Sequence, residues 1–364
     1  MKPRKCYNAI RWVILAICCF SAGLPLVAKG QQHGHALLHG QYERAFDSLI
    51  ILLGKNGPFK SAVFITENAY HNNSLSYADY MARINGMTAL VKMHNKNSQL
   101  NRSFYTDAVN YSTNYSIFSV FTDSVEIIQD SMKYVHLPFQ YTFQDIFGKK
   151  DWNNMFVTKL LQTNSGNCHN LTYLYKIIAD ELDTRCWLAL APNHIYIRNY
   201  NRQMGWYNTE LTSGVFPTDA WIATTGYVSA DAIRSGIYMD TLSNQQSIAL
   251  CVLDLAKGYE FQTRNYYDGF ILRCCDLVLQ YHTVNPIALL LKAETLKKIY
   301  SKQAEENNPD ATTTYSEMEK TYITLAKLHY REMPEKMYRE WLLSVSRQKD
   351  KYLNKKVSGK LRNK

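Results

Sequence analysis

At Cys168 the chain changes character. The loop residues Asn164, Ser165, Gly166 and Asn167 give way to Leu171, Leu174, Ile177, Ile178 and Leu182, which recur at three- and four-residue steps. That spacing is one apolar stripe of a helix, so the cysteine falls in its first turn. The placement constrains the fold strongly. The helix must bury its stripe, while its N-terminus presents a thiol beside unpaired amides and the positive end of the helix dipole. Both favour thiolate over thiol, the setting in which a cysteine becomes a nucleophile. The competing assignment is a cysteine packed as a small hydrophobe, and a partner base decides between the two.

Residues 186–214, CWLALAPNHIYIRNYNRQMGWYNTELTSG, read as two strands joined by a polar loop. Alternation puts His194, Tyr196 and Arg198 on one face and Ile195 and Ile197 on the other, while Trp206, Asn208 and Glu210 alternate with Tyr207, Thr209 and Leu211. With 199–205 as the loop, Arg198 pairs with Trp206 and His194 lies opposite Glu210; a register two residues shorter puts Asn208 there instead. Directly opposed residues have Cβ atoms roughly 4.5 to 5.5 Å apart. Either side chain can accept a hydrogen bond from the far ring nitrogen, leaving the near one to take the thiol proton. His169 adjoins the thiol in sequence but points about 100° away around the helix, and is expected at the rim. Asn164 and Ser165 read as turn and cap residues.

With these residues in place, the chain resembles the transglutaminase-like superfamily of cysteine enzymes, which share a papain-like core. The resemblance covers roughly residues 155 to 215 and rests on Cys168 at a helix start, His194 on the following strand, and Trp206 four residues before the acid Glu210. NSGNC, LYK, APNH and WYNTELTSG also look like a group of bacterial transglutaminase-like proteins bearing tetratricopeptide-like helices. The resemblance favours Glu210 over Asn208 as third member, and implies a catalytic triad of Cys168, His194 and Glu210. It also points to Gln162, six residues before the thiol, as a candidate oxyanion donor beside the Cys168 amide. Two positions depart from the family pattern: the third member is Glu rather than Asp, and Tyr196 stands where a Trp often follows the histidine.

The N-terminus reads as a secretory signal. Lys2, Arg4, Lys5 and Arg11 precede the apolar run WVILAICCFSAGLPLVA, and Ala28-Lys29-Gly30 follows with small residues suited to cleavage, giving a mature chain from about Gln31. Pro25 interrupts the run, which is at the lower limit for a span, so no stable membrane span is expected after cleavage. Cys18 and Cys19 offer a lipid-tethered alternative, against which the bulky Ile17 stands. The expected compartment is periplasmic or extracellular. The formal charge of +10 resides in the two ends, since residues 347–364 carry eight Lys or Arg against Asp350 alone. A near-neutral body argues against a nucleic-acid binder. Beyond the signal lie Cys168, Cys186, Cys251, Cys274 and Cys275, an odd set without a Cys-x-x-Cys pair, so buried thiols are expected rather than a disulfide scaffold or a zinc site.

The remaining sequence is mostly helical in pattern. The Asn-, Ser- and Tyr-rich stretches 71–80 and 95–115 read as surface loops. Ser243 and Gln246 form a capping box before SIALCVLDLAK, closed by Gly258. Residues 266–281 and 286–300 make a helical pair resembling a tetratricopeptide-like unit, with Asn285 as cap and Pro286 at the first position. ENNPDATTTYS reads as an exposed linker, and Pro334 opens a last helix. The expected organisation is a signal peptide at 1–30, a mainly helical region at 31–150, an α+β transglutaminase-like core at 151–242, tetratricopeptide-like helices at 243–346 and a basic tail at 347–364. The expected function is acyl transfer or amide hydrolysis (peptidase, amidase or transglutaminase type) on a peptide, protein or peptidoglycan-peptide amide. This chemistry needs no metal or organic cofactor. The alternative is an inactive transglutaminase-like scaffold that binds partners through its helical repeat.

Overall fold

The computed structural model describes residues 24–97, 107–129 and 132–347. Most of the expected signal segment (1–23) and the tail from 348 onward lie outside the described residues. In chain order, α1 (Leu24–Gly54), α2 (Phe59–Tyr70), α3 (Tyr77–Asn97) and α4 (Ala108–Thr122) precede a hairpin of β1 (Val125–Gln129) and β2 (Met132–His136). Next come β3 (Gln140–Tyr141), α5 (Val157–Thr163), β4 (Ser165–Gly166) and α6 (Cys168–Glu181), then β5 (Trp187–Ala191), β6 (His194–Asn201) and β7 (Gly205–Thr209). The short α7 (Asp219–Thr225) and α8 (Ala230–Arg234) lead to α9 (Asn244–Thr263), α10 (Phe270–Tyr281), α11 (Pro286–Glu305), α12 (Ala311–Lys327) and α13 (Glu335–Arg347). The architecture is mixed α+β. Among the described residues no helix is long and apolar enough to cross a membrane.

The centre is α6. Its expected stripe is buried at Leu171, Leu174, Ile177 and Ile178, and so are Tyr173 and Tyr175 on its other sides. One side packs on the antiparallel sheet β5-β6-β7. Against another lies α4, from a stretch whose composition suggests solvent. The correction has a physical reason: small Ser, Thr and Asn side chains allow close approach, and Asn114 finds polar partners inside. Asn114 Nδ2 donates to the carbonyls of Asn110 and Arg185, and the Tyr175 hydroxyl donates to the Asn114 carbonyl at 2.9 Å. α3 follows the helical spacing of residues 75–95 and extends a few residues into the loop stretches at either side, and α12 begins within the expected linker.

The N- and C-terminal helices meet each other. Thr66 donates to the Cys251 carbonyl at 2.9 Å, and Tyr42 donates to Gln262 at 2.7 Å. One contiguous buried cluster runs from Tyr42 to Leu342 and draws on the three expected segments between the signal and the tail. The Ser243–Gln246 capping box forms, but α9 continues through Gly258 to Thr263 and ends at Arg264 in the left-handed region. Gly258 ends nothing; a Cβ there would meet Tyr42 and Tyr70 at 3.3 Å, so its missing side chain lets α1 and α2 approach. Asn285 and Pro286 open α11 as expected, with Asn285 Oδ1 accepting from the Ala288 amide at 2.9 Å.

Both expected registers for the second hairpin are overturned. Arg198 pairs with Asn208 and Tyr200 with Trp206, so the ladder continues to Asn201 and Gly205. The turn is tight because Asn201 Oδ1 accepts from the amides of Gln203 and Met204, and Gly205 adopts φ +74. This register puts position 212 opposite His194 and leaves Glu210 on the diagonal.

Gly166 links this fold to the thiol. A Cβ there would overlap Asn170 Oδ1 and stand 2.8 Å from Leu160. Asn170 is buried and holds the start of α6. Gly166→Ala is therefore expected to cost about 1–3 kcal/mol in urea unfolding; unchanged stability would show that the α6 entry tolerates the displacement.

Candidate active site

Asn167 places the cysteine. Its Oδ1 accepts from the amides of His169 at 3.0 Å and Asn170 at 3.3 Å, while Asn170 Oδ1 accepts from the Asn167 amide at 2.9 Å. This is a reciprocal capping box built from two asparagines. The cap engages the two amides after Cys168 and not that of Cys168 itself. Cys168 is the first helical residue and is 7% exposed.

His194 opens β6 after a two-residue turn whose Asn193 has φ +56. Its Nε2 lies 2.5 Å from Glu210 Oε2, with side-chain exposures of 2% and 3%. The other carboxylate oxygen, Oε1, accepts from the Thr212 amide at 2.9 Å and the Thr212 hydroxyl at 2.6 Å. Both oxygens are thus occupied in a site where an unpaired charge is costly. A glutamate's extra methylene suits the diagonal position, since such neighbours are about 7–8 Å apart. The near ring atom, Nδ1, turns toward the thiol. The two groups hydrogen-bond directly, and the Tyr338 hydroxyl from α13 touches both, 3.1 Å from Nδ1 and 3.5 Å from Cys168 Sγ.

Burial alone pushes the Cys168 thiol up, but the facing His194 ring, with help from the Tyr338 hydroxyl and the Ile195 amide, overrides it and holds the thiol below its ordinary value. Burial alone lowers His194; the Glu210 carboxylate and the sulfur outweigh it and push the imidazole up to about 10. Burial raises Glu210, and the His194 charge with the Thr212 hydrogen bonds brings it below the usual carboxylate value. All three shifts run toward the charged forms, thiolate, imidazolium and carboxylate. Burial instead raises the other four thiols, Cys186 to about 12. All five are free and buried.

A cavity of about 250 Å³ opens beside the sulfur. Its wall is largely apolar, with Leu190, Leu250, Leu253 and Leu290, and carries a second histidine–carboxylate pair. His169 Nε2 lies 3.1 Å from Asp254 Oδ1 and its Nδ1 3.0 Å from the Met155 carbonyl, so it lines the cavity without facing the sulfur as a base. The Tyr173 hydroxyl donates to Asp254 Oδ2 at 2.8 Å. Among the described residues no group of three or more His, Cys, Asp or Glu is placed to hold a metal ion.

The structure brings Cys168, His194 and Glu210 together. Asn208 is elsewhere, donating to Asp219 at 2.7 Å and to the Pro217 carbonyl at 3.1 Å. Gln162 is exposed on α5 and is not part of the cavity wall. Trp206 packs edge-on against Trp187 and Tyr200, away from the thiol. Sequence reasoning did not find Tyr338, which lies 170 residues from Cys168 along the chain. Trp341, whose ring centre is 5.1 Å from that of His194, is equally remote. Thr212, two residues after Glu210 in a turn-rich stretch, carried a local signal. In comparisons with known proteins the chain matches no family model, no curated protein and no solved structure.

The shifts fix a pH dependence. His194, raised, contributes stability that is complete below its ordinary value of 6.5 and is lost as pH rises through about 10. Cys168 and Glu210, lowered, contribute stability that is present above their ordinary values and is lost as pH falls through the lowered ones. Replacing Glu210 by Gln removes the largest influence raising His194. The alkaline loss of stability in urea unfolding is then expected to move down by about 1–3 pH units; an unmoved limb would show that Glu210 does not hold the imidazolium.

Proposed function

We propose that the chain is an exported, thiol-dependent acyl transferase or amide hydrolase of the transglutaminase-like kind. The observation that carries this reading is one imidazole held by Glu210 at its far nitrogen and turned at its near nitrogen toward a cysteine at a helix start. The Cys168 thiolate adds to a carbonyl carbon, and the developing oxyanion is received by the Cys168 N–H. His194 then gives its Nδ1 proton to the leaving nitrogen, the carbon–nitrogen bond breaks and a thioester remains. Water or an amine adds to the thioester, Nδ1 takes up its proton, and the thiolate leaves. Glu210 keeps the ring oriented and balances its charge throughout.

The near-neutral body and the apolar wall suit a polypeptide-like amide, such as a peptidoglycan peptide or a secreted protein, better than a nucleic acid. The basic n-region and apolar run of the N-terminus support an extracytoplasmic place for this chemistry.

A p-nitrophenyl ester is the direct probe. The expected result is one acyl group on Cys168 by peptide mapping, none in Cys168→Ala, and acylation slowed about a hundredfold or more in Glu210→Gln with the fold retained. Equal ester consumption by Cys168→Ala, or label shared among the five thiols, would refute the reading.

A further inference from the structure

In the proposed reaction the leaving nitrogen has two requirements to meet. It must be bonded to the carbon that the sulfur attacks and within hydrogen-bond reach of His194 Nδ1, the proton donor. The Tyr338 hydroxyl, 3.1 Å from Nδ1 and 3.5 Å from Sγ, is within reach of both groups, as a leaving nitrogen must be. We propose that α13 is an intramolecular stopper: Tyr338 stands in for the leaving group, and the helix must swing out before a polypeptide amide can react. This inference rests on the reading of Cys168 and His194 as nucleophile and base.

The attachment of α13 suits reversible seating. Tyr338, Trp341 and Leu342 are its buried large side chains, whereas Lys336, Met337, Arg339, Glu340 and Leu343 face solvent. The Tyr338 ring lies 5.2 Å from that of Phe147, and Trp341 packs across His194 and Trp221. Outside this stripe, exposed Lys149 and Glu335 form an ion pair at 2.7 Å, and Asn193 donates to the Met333 carbonyl at 2.6 Å. The segment joining α12 to α13 is non-helical from Tyr330 to Pro334, and His329 before it takes a positive φ of +57. The stopper covers one side of the thiol. The 250 Å³ cavity also reaches the sulfur and is lined by neither Tyr338 nor Trp341, which gives small reagents a route that large ones lack.

Reagent size therefore tests the proposal on the full chain. Iodoacetamide is the small probe and a maleimide carrying a long polyethylene glycol chain is the large one, each read at Cys168 by peptide mapping. In Tyr338→Ala/Trp341→Ala the large probe should react about tenfold faster or more than in the wild type, because its rate follows the open fraction. Lys149→Glu alters an exposed residue, leaves the core intact, and should raise the same rate about threefold. Should both variants match the wild type toward the large probe while iodoacetamide still labels Cys168, the stopper is overturned and the nucleophile reading stands. Should iodoacetamide label Cys168 in none of the three proteins, the nucleophile reading falls and the stopper with it.

Discussion

Everything at this site depends on the short contact between His194 and Glu210, made where water cannot screen it. A carboxylate and an imidazolium so fully buried are stable only if their remaining polar atoms are also satisfied. Thr212 meets that requirement on one side, and the sulfur with the Tyr338 hydroxyl on the other. Losing either member of such a pair leaves a buried charge alone, typically at a cost of about 3–5 kcal/mol. The turn from Glu210 to Val215, closed by two backbone hydrogen bonds of 2.9 and 3.1 Å, therefore belongs to the chemistry as much as to the sheet.

The thiol is held by a different device. Asn167 and Asn170 cap each other, Gly166 leaves room for the Asn170 amide, and α4 supports the far side of α6 through Asn114 and Tyr175. Two independent supports, one on the helix and one on the hairpin, thus converge on a single gap between Sγ and Nδ1. α13 brings the Tyr338 hydroxyl against both groups from a third direction.

Much of the site was legible because its signals are local. The small-residue loop, the apolar stripe and the alternation around His194 each occupy a few consecutive residues, and each places one group. The hairpin register was not legible: Asn201 turns the chain through its own side chain, which strand alternation alone does not report. The two-residue error nevertheless left Glu210 within reach of His194, since a glutamate spans a diagonal. Gln162 was suggested by an offset from the cysteine, and α5 instead turns it to solvent. α4 was misread because buried Ser, Thr and Asn look like a surface until their partners in another helix are known. Tyr338 and Trp341 reach the site from more than 140 residues away along the chain, and no periodicity in their own helix tells which cleft it enters.

The central claim is that Cys168 and His194 form an ion pair held by Glu210. Ultraviolet absorbance of the thiolate, followed against pH in the folded full chain with Cys168→Ser as the blank, measures it most directly. The account predicts a thiolate signal already present at neutral pH, below the range of an ordinary cysteine, and a shift of that signal to higher pH in Glu210→Gln. A signal that appears only in the ordinary thiol range or above, unchanged by Glu210→Gln, would contradict it.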